Sequence, residues 1–429
     1  MAMQKYSKYK DSGVKWLGEI PSHWETLPGF AIFKENKEKN SDLRINTVLS
    51  LSYGKIIQKK DLNEGLVPAE YNTYQIVRPG NIIIRCTDLQ NDKTSLRTGF
   101  VKNEGIITGA YLGLIVNKKY NSSYIHYFLH AWDITKEIYR YGSGLRQSLS
   151  WVDLKRLPIL IPSYDEQNAI VSYLDSVTSK IDEAIAQQQK MIDLLNERKQ
   201  IIINDAVTKG LDPKAKMKDS DIDWIGQIPE HWEIRKLKYM LRTNLMYGAN
   251  ESAESDDPSF PRYIRITDID EDGSLKPDTF RSLPPIKAEP YLLDKGDLLF
   301  ARSGATAGKT YLFNEDIKAC FAGYLIKASL KDVMMPEYLN YYTKSGVYDN
   351  WKKSIFIQAT IPNIGADKYA NLLVTLPSKK EQQDIIKFLD LEVGKVNQVV
   401  SECKQKIALL QERKQIIIND VVTGKVKVV

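Results

Sequence analysis

The run ERKQIIIND occupies residues 197–205, and the same nine residues return at 412–420. The two copies begin 215 residues apart (412 − 197), about half of the 429-residue chain. An identical run of this length in so short a chain indicates an internal duplication, and such a repeat defines the unit of the fold. The sequence therefore predicts one structural unit that is present twice.

Two further matched motifs set the limits of the repeat. They are WLGEIPSHWE at 16–25 with WIGQIPEHWE at 224–233, and PSYDEQ at 162–167 with PSKKEQ at 377–382. Between these motifs, residues 26–160 and 234–375 barely align. Each half thus consists of an opening motif, a variable region and a matched C-terminal segment. A unit of roughly 210 residues is long enough to fold around its own core.

The matched C-terminal segments are predicted to be long helices. Each begins with the Ser-x-x-Glu spacing of a capping box, at 163–166 and at 378–381. Gly210 and Gly424 stand where a C-terminal cap is expected. Apolar residues then recur at steps of four and three, as in a coiled coil: Ile170, Leu174, Val177, Ile181, Ala184, Met191, Leu195 and Ile202, then Ile386, Leu389, Val393, Val396, Val400, Cys403, Ile407, Leu410 and Ile417. Each helix of about 40 residues would span ~60 Å, and the other copy is the expected packing partner.

The variable regions are predicted to be mixed α/β domains. Buried strands are expected at 82–85 and 112–116 in the first region, and at 263–266 and 297–300 in the second. The predicted fold class is therefore α+β, with a tandem pseudo-twofold duplication. Two mixed α/β domains are separated by two long helices that form an antiparallel coiled coil. The expected boundaries are 1–160, 161–213, 214–376 and 377–429.

Composition narrows the class of protein. The chain carries 60 basic and 54 acidic residues, a formal charge of +6, which permits nucleic-acid binding without requiring it. Cys86, Cys320 and Cys403 show no metal-binding spacing, and the four histidines are scattered. Neither a signal peptide nor an apolar run of about 18 residues is present. These features predict a cytoplasmic protein with reduced thiols and no metal site.

Polar side chains cluster at the ends of the predicted strands in both variable regions. Arg, Asn and Gln can read base edges bidentately, whereas Lys and Ser typically contact phosphates. The candidate DNA-binding residues of the first region are Arg85, Thr87, Asp88, Gln90, Asn91, Lys93, Arg97, Arg140, Ser143, Arg146 and Gln147. Those of the second region are Arg265, Thr267, Asp268, Arg302, Ser303, Thr306, Lys309, Lys352, Lys353, Gln358 and Asn363. Any one of them could be an ordinary solvated loop residue, but the recurrence in both halves favours a shared role.

Catalytic signatures are weak throughout. Residues 303–310, SGATAGKT, nearly match a phosphate-binding loop, but the first glycine is replaced by Ser303 and no convincing helix follows. We find neither a nuclease carboxylate–lysine cluster nor a catalytic triad. Trp24 and Trp232, with the preceding histidines, are predicted to anchor the opening motif. The chain is therefore predicted to be non-catalytic and to bind no cofactor itself.

With its duplicated opening motif and paired helix segments, the chain resembles the specificity (S) subunits of type I restriction–modification systems. The resemblance covers essentially the whole chain. It implies that 1–160 and 214–376 are two target recognition domains, and that the helices at 163–208 and 378–423 are the central and distal conserved regions. Because target recognition domains diverge among family members, the candidate DNA contacts above rest on local chemistry alone.

The resemblance also implies partners. The subunit would bind two methyltransferase (M) subunits, which use S-adenosylmethionine to methylate adenine at N6. It would also join two restriction (R) subunits, which translocate and cut unmethylated double-stranded DNA. S-adenosylmethionine, ATP and Mg²⁺ are then expected only on the partners.

Two reading domains joined by long helices should read a bipartite target, since half-sites on one face of DNA lie about one helical turn, ~34 Å, or a multiple of it apart. Candidate positions for partner docking on the matched helices are Glu197, Arg198, Gln200, Asn204, Glu412, Arg413, Gln415 and Asn419. Their identity could equally preserve helix–helix register.

The sequence leaves two other functions open. One is a coiled-coil interaction scaffold that ignores DNA sequence, and the other is a nucleotide-binding protein that uses residues 303–310. Salt-dependent DNA binding separates the scaffold from a DNA reader, because neutralising phosphates gives a steep salt dependence.

Overall fold

The computed structural model describes residues 4–59, 71–92, 96–143, 147–270, 273–356 and 362–428. The chain divides into two compact units, and each contains one variable region. Unit 1 comprises Met1–Gln188 and Lys404–Val429, and unit 2 comprises Gln189–Cys403. The boundaries fall inside the first long helix, Tyr164–Lys209, and the second long helix, Lys379–Val422. Each unit therefore contains the first part of one long helix and the last part of the other.

Unit 1 is built on a four-stranded antiparallel sheet in the order Phe33–Glu35, Leu112–Val116, Ile82–Ile84, Thr98–Phe100. The other strands of this unit are Tyr9–Asp11, Glu19–Pro21, Glu25–Pro28, Leu49–Ser52, Lys55–Gln58, Gln75–Val77, Gly105–Ile107 and Pro158–Ile161. The short helices are Gly29–Ile32, Ser122–Ile134, Glu137–Arg140 (a 3₁₀ turn) and Trp151–Leu154.

The helix Ser122–Ile134 covers one face of this sheet. Asn121 caps its first turn by accepting hydrogen bonds from the backbone N–H groups of Ser123 and Tyr124, at 2.9 and 3.2 Å. The helix buries Phe128 and Trp132 in the core of the unit. Residues at the sheet ends are thereby held on a packed scaffold.

Unit 2 repeats the same sheet order with different sequences: Met246–Tyr247, Leu325–Ala328, Leu298–Ala301, Thr310–Leu312. The remaining strands are Met217–Asp219, Gln227–Pro229, Glu233–Lys236, Arg262–Ile264, Ala319–Phe321 and Leu373–Leu376. The α-helices are Pro285–Ala288, Pro336–Tyr342, Gly346–Phe356 and Ala366–Ala370, and 3₁₀ turns occupy Leu237–Met240, Ile266–Asp268, Pro277–Thr279, Glu289–Tyr291 and Gly304–Thr306. The duplication therefore extends through the variable regions, where the sequences barely align.

The opening motif fastens the start of a long helix in each unit. In unit 1, Trp24 Nε1 donates to Glu166 Oε1 at 3.1 Å, and His23 Nε2 lies 3.1 Å from Glu166 Oε2. In unit 2, Trp232 Nε1 donates to Glu381 Oε1 at 3.0 Å, with His231 Nε2 at 2.7 Å. The predicted anchoring role of these tryptophans and histidines agrees with this geometry.

Each of these tryptophans also packs against the end of the other long helix. A Cβ on Gly424 would lie 3.2 Å from the Trp24 ring, and one on Gly210 would lie 3.0 Å from the Trp232 ring. Both glycines have positive φ, 74° and 73°, so they act as helix C-terminal caps. Because the start of one helix and the end of the other meet at one tryptophan, the two segments run antiparallel within each unit.

The buried face of the first long helix departs from the predicted heptad row at Met191. Ile170, Leu174 and Ile181 are buried as predicted, but Met191 is exposed and Ile192 is buried instead. A straight helix turns every 3.6 residues, so the buried face drifts away from a 3.5-residue repeat. The prediction for Met191 was wrong for this reason.

Candidate nucleic-acid interface

In unit 1, the segment 85–92 follows the strand Ile82–Ile84 and is organised around the buried side chain of Arg97. The guanidinium of Arg97 is 0% exposed. It donates to the backbone carbonyls of Thr87 and Asp88 at 2.8 and 3.0 Å. Arg97 was predicted to contact DNA, and the structure corrects this: the side chain is buried and its donors are used by backbone carbonyls.

The same segment presents an exposed polar edge. Thr87, Gln90 and Asn91 face solvent, while the neighbouring Leu89 is buried in the core. Asn91 Nδ2 donates to Asp88 Oδ1 at 2.8 Å. Amide groups held in this way can donate to and accept from a base edge.

Arg85 is the remaining described candidate in this segment. Its Nη1 lies 3.2 Å from Asp92 Oδ2, and about a third of its side chain is exposed. Lys93 lies outside the described residues.

The second candidate group in unit 1 lies beside this segment. The backbone N–H of Leu89 donates to the carbonyl of Gln147 at 3.2 Å. Gln147 Nε2 donates to the carbonyls of Tyr139 and Tyr141 at 2.6 and 3.0 Å, so this amide supports the fold. Arg140 and Ser143 are exposed, and Arg140 Nε lies 3.0 Å from a Glu137 carboxylate oxygen. Arg146 lies outside the described residues.

In unit 2, two members of the first candidate group form an ion pair with each other. Arg265 forms a bidentate pair with Asp268, with Nε to Oδ2 at 3.0 Å and Nη2 to Oδ1 at 2.7 Å. Asp268 is only 1% exposed. The structure therefore corrects the prediction that this residue contacts DNA. The fork of Arg265 is occupied by this carboxylate, and Thr267 is the exposed member of the group.

Residues 302–309 form a tight turn in unit 2. Lys309 Nζ donates to the carbonyl of Ile269 at 3.0 Å, and Gly304–Thr306 is a three-residue 3₁₀ turn. A phosphate-binding loop needs a free lysine and a following helix, whereas here Lys309 is bonded to a carbonyl and the strand Thr310–Leu312 follows. Thr306 is exposed.

Ser303 and Asn363, two of the predicted DNA-binding residues, lie next to each other at this turn. Ser303 forms a backbone bridge with Asn363, which is exposed. Lys353 is exposed on the helix Gly346–Phe356. Lys352 is largely covered, and its Nζ lies 2.7 Å from Asp349 Oδ1. Gln358 lies outside the described residues.

Aromatic residues near Arg302 were missed by the sequence analysis. The Arg302 guanidinium lies 5.0 Å from the ring centroid of Tyr247, and its backbone N–H donates to the carbonyl of Tyr324 at 2.9 Å. Tyr324 is 65% exposed, and an exposed ring can stack on a base. An isolated tyrosine in a strand-rich sequence gives no signal of such exposure.

The corresponding place in unit 1 is a cavity of about 450 Å³ that includes Lys37, Lys39, Tyr111 and Trp151. Cys86 lines it and accepts a backbone hydrogen bond from Leu149, as Arg302 does from Ile364 in unit 2. Burial raises the pKa of the Cys86 thiol to about 12. The thiol is therefore neutral, and the charged groups that line this cavity are Lys37, Lys39 and Glu35, with Lys37 Nζ 3.4 Å from Glu35 Oε2.

A family model described as the type I restriction modification DNA specificity domain matches residues 29–192 and again residues 229–402. The chain belongs to this family. The two matches fall in the two halves of the duplication, so this specificity subunit carries two target recognition domains of mixed α and β structure.

Known specificity subunits are similar in sequence to this chain over most of its length. The type I restriction enzyme MjaVIII specificity subunit of Methanocaldococcus jannaschii is 23% identical over 443 residues, covering 98% of this chain and 97% of the relative. The EcoBI specificity subunit of Escherichia coli is 22% identical over 325 residues, covering 72% and 66%. One solved structure comes from a study of complex assembly and conformational transition of the type I R-M system. It matches this chain with a TM-score of 0.69 at 14% sequence identity, and the match covers 94% of this chain and 98% of that chain. This last likeness shows the fold.

The predicted partner-binding positions on the long helices of the specificity subunit are of two kinds, exposed to solvent or hydrogen-bonded to other residues of the chain. Six of the predicted partner-binding residues are exposed: Glu197, Arg198, Gln200, Glu412, Arg413 and Gln415. Asn204 instead accepts a hydrogen bond from the backbone N–H of Val347 at 3.2 Å, and Asn419 Nδ2 donates to Asp420 Oδ1 at 3.1 Å. Asn204 therefore serves the packing of unit 2.

Apolar residues lie exposed among these polar positions. Leu194 and Ile201 are 52% and 55% exposed, and their repeats Leu409 and Ile416 are 65% and 51% exposed. Each pair is spaced by seven residues and so lies on one face of its helix. The specificity subunit thus has the same apolar face once in each unit.

Among the described residues, no group of three or more His, Cys, Asp or Glu side chains is placed to hold a metal ion. None of the helices found in that part of the chain is long and apolar enough to cross a membrane.

Proposed function

We propose that this specificity subunit reads a bipartite double-stranded DNA target, with one half-site for each unit. The observation that carries the proposal is the repetition of one sheet order in two units whose loop sequences differ. A shared scaffold places the loops equivalently, and different loop side chains give different base preferences. The target recognition domains correspond to 1–160 and 214–376. The conserved helical regions correspond to 161–213 and 377–429.

The two long helices would act as the spacer between the half-sites. The first long helix has 46 residues and the second has 44, and a helix of this length spans ~65–70 Å. The antiparallel pairing within each unit supports a continuous antiparallel coiled coil. Such a rod would fix the length of unread DNA between the half-sites.

The repeated apolar faces support docking of two methyltransferase subunits. An exposed leucine and isoleucine flanked by Glu, Arg and Gln provide an apolar centre with a polar rim, the usual composition of a protein interface. One such face in each unit matches two partner copies. Two restriction subunits would complete the assembly, with S-adenosylmethionine, ATP and Mg²⁺ bound by the partners and no catalytic step on this chain.

Exchange of one variable region tests this function. Residues 26–160 are replaced by the corresponding segment of another specificity subunit, and the methylated sequences are read in cells that also express the methyltransferase. We expect one half-site to change while the other half-site and the spacer stay the same. The reciprocal exchange of 234–375 is the matched control and should change only the other half-site. A change in both half-sites from one exchange would contradict the assignment of one half-site to each unit.

A further inference from the structure

We propose that Arg97 is a positioning residue for DNA specificity, which holds the segment 85–92 so that Thr87, Gln90 and Asn91 meet the bases in a fixed geometry. The inference rests on the proposed function, because it takes unit 1 to read one half-site. Arg97 itself stays inside the fold and makes no contact with DNA.

The guanidinium lies at the centre of a ring of backbone carbonyls. Its Nη1 donates to Arg85 O at 3.3 Å and Thr87 O at 2.8 Å, and its Nη2 donates to Asp88 O at 3.0 Å and Asp92 O at 2.5 Å. These four carbonyls span the whole segment. One planar group therefore sets the path of the backbone from which the exposed side chains project.

Contacts from the rest of the unit fix the position of Arg97. Its Nε donates to Tyr139 Oη at 3.3 Å, and Tyr139 Oη in turn donates to Asp92 O at 3.0 Å. The backbone N–H groups of Arg97 and Thr98 both donate to Asp133 Oδ2, and Asp133 lies on the core helix Ser122–Ile134. The segment is thus tied through Arg97 to the rigid part of the domain.

Side chains within the segment 85–92 also contact one another. Arg85 pairs with Asp92 at 3.2 Å, and Asn91 donates to Asp88. Asp88 adopts a positive φ of 61°, a conformation that non-glycine residues hold only where the surroundings impose it. The carbonyl contacts of Arg97 supply that constraint. Groups that read bases need such preorganisation, because small displacements spoil bidentate hydrogen bonds.

Lysine cannot replace Arg97 in this role. Arginine has five N–H donors in a fixed planar fork, whereas lysine has three donors on one nitrogen. An Arg97→Lys variant keeps the charge but cannot reach carbonyls on both sides of the ring. The equivalent turn of unit 2, residues 302–309, follows the strand Leu298–Ala301 and is held differently, with Lys309 Nζ donating to the carbonyl of Ile269, so the change should affect only unit 1.

The test measures base discrimination by the full-length chain assembled with its methyltransferase subunits. Binding is measured to duplexes that carry each single-base change in the target. For Arg97→Lys we expect the preference for the correct base to fall by roughly tenfold at some positions of one half-site, as when a bidentate base contact is lost. Discrimination at the other half-site should stay the same. Arg78→Lys, at an exposed arginine of unit 1, is the control and should leave every position unchanged.

The outcomes separate this inference from the proposed function. A purely structural role would lower the melting temperature or weaken binding to all duplexes equally, and unchanged discrimination ratios in Arg97→Lys would overturn the inference. If that variant does not fold, Tyr139→Phe removes one hydroxyl from the same network and should relax the same half-site to a smaller degree; no relaxation there would also overturn it. A wild-type complex that shows no sequence preference would instead overturn the proposed function and, with it, this inference.

Discussion

At the residue scale, a glutamate at the start of each long helix joins the opening motif to that helix. Glu166 and Glu381 each accept a hydrogen bond from a tryptophan indole. The Ser378–Glu381 capping box is complete, since Ser378 Oγ accepts from the Glu381 N–H at 3.3 Å and Glu381 Oε2 accepts from the Ser378 N–H at 3.1 Å. The repeated Ser-x-x-Glu spacing therefore has a second purpose, which is to hold the domain on the helix.

A Glu381→Gln substitution should destabilise unit 2. Burial opposes ionisation of this carboxyl, but hydrogen bonds from Trp232, His231 and Ser378 outweigh it and lower the pKa of Glu381 to about 2. A lowered pKa means that its contribution is present above pH ~4.5 and is lost as the pH falls towards 2. We expect a loss of about 1 kcal/mol at neutral pH after allowance for solvent screening.

Thermal melting between pH 7 and pH 2.5 measures this effect. The variant should melt at a lower temperature than wild type at pH 7, and the two curves should converge in acid. Glu402→Gln, at an exposed helix position, is the control. A constant difference between variant and wild type over the whole pH range would show that the carboxylate charge is not responsible.

At the element scale, the exposed faces of the long helices can be tested directly. Ile201→Glu and Ile416→Glu each place a charge on one copy of the repeated apolar face. Burying an isoleucine contributes ~1.5–3 kcal/mol, so each change should weaken binding of one methyltransferase subunit by roughly tenfold to hundredfold. The melting temperature should barely change, because both side chains are already half exposed.

Mass measurement of the purified assembly distinguishes the outcomes. Wild type should retain two methyltransferase subunits, each single variant one and the double variant none. Lys404→Glu, at another exposed position of the second long helix, is the matched control. Full occupancy in the double variant would place the docking surface elsewhere.

At the scale of the whole molecule, lengthening the long helices tests the proposal that they set the spacer between the two half-sites. Inserting seven residues in both helices, after Gln188 and after Cys403, places the additions where the two compact units divide the chain. Seven helical residues add ~10 Å, close to three base pairs at 3.4 Å per step. We expect the same two half-sites separated by a spacer longer by about three base pairs.

Methylome sequencing of cells carrying the lengthened chain measures the spacer. A variant with the seven residues 182–188 replaced by another heptad of equal length is the control and should keep the original spacing. An unchanged spacer in the lengthened variant would show that the helices do not set the distance.

The sequence by itself determined the duplication, the two long helices and the family. Identical runs, capping residues and apolar periodicity are local signals. Each can be recognised from the sequence without knowing any distant contact. The tertiary structure decided which polar side chains face solvent. Arg97 and Thr87 look equally suited to DNA in sequence, but Arg97 is drawn inward by carbonyls of residues 85–92 and by Tyr139, 42 residues away. Asp268 is likewise removed from the surface by Arg265. Burial depends on contacts that only the folded chain brings together, because buried polar groups must find partners.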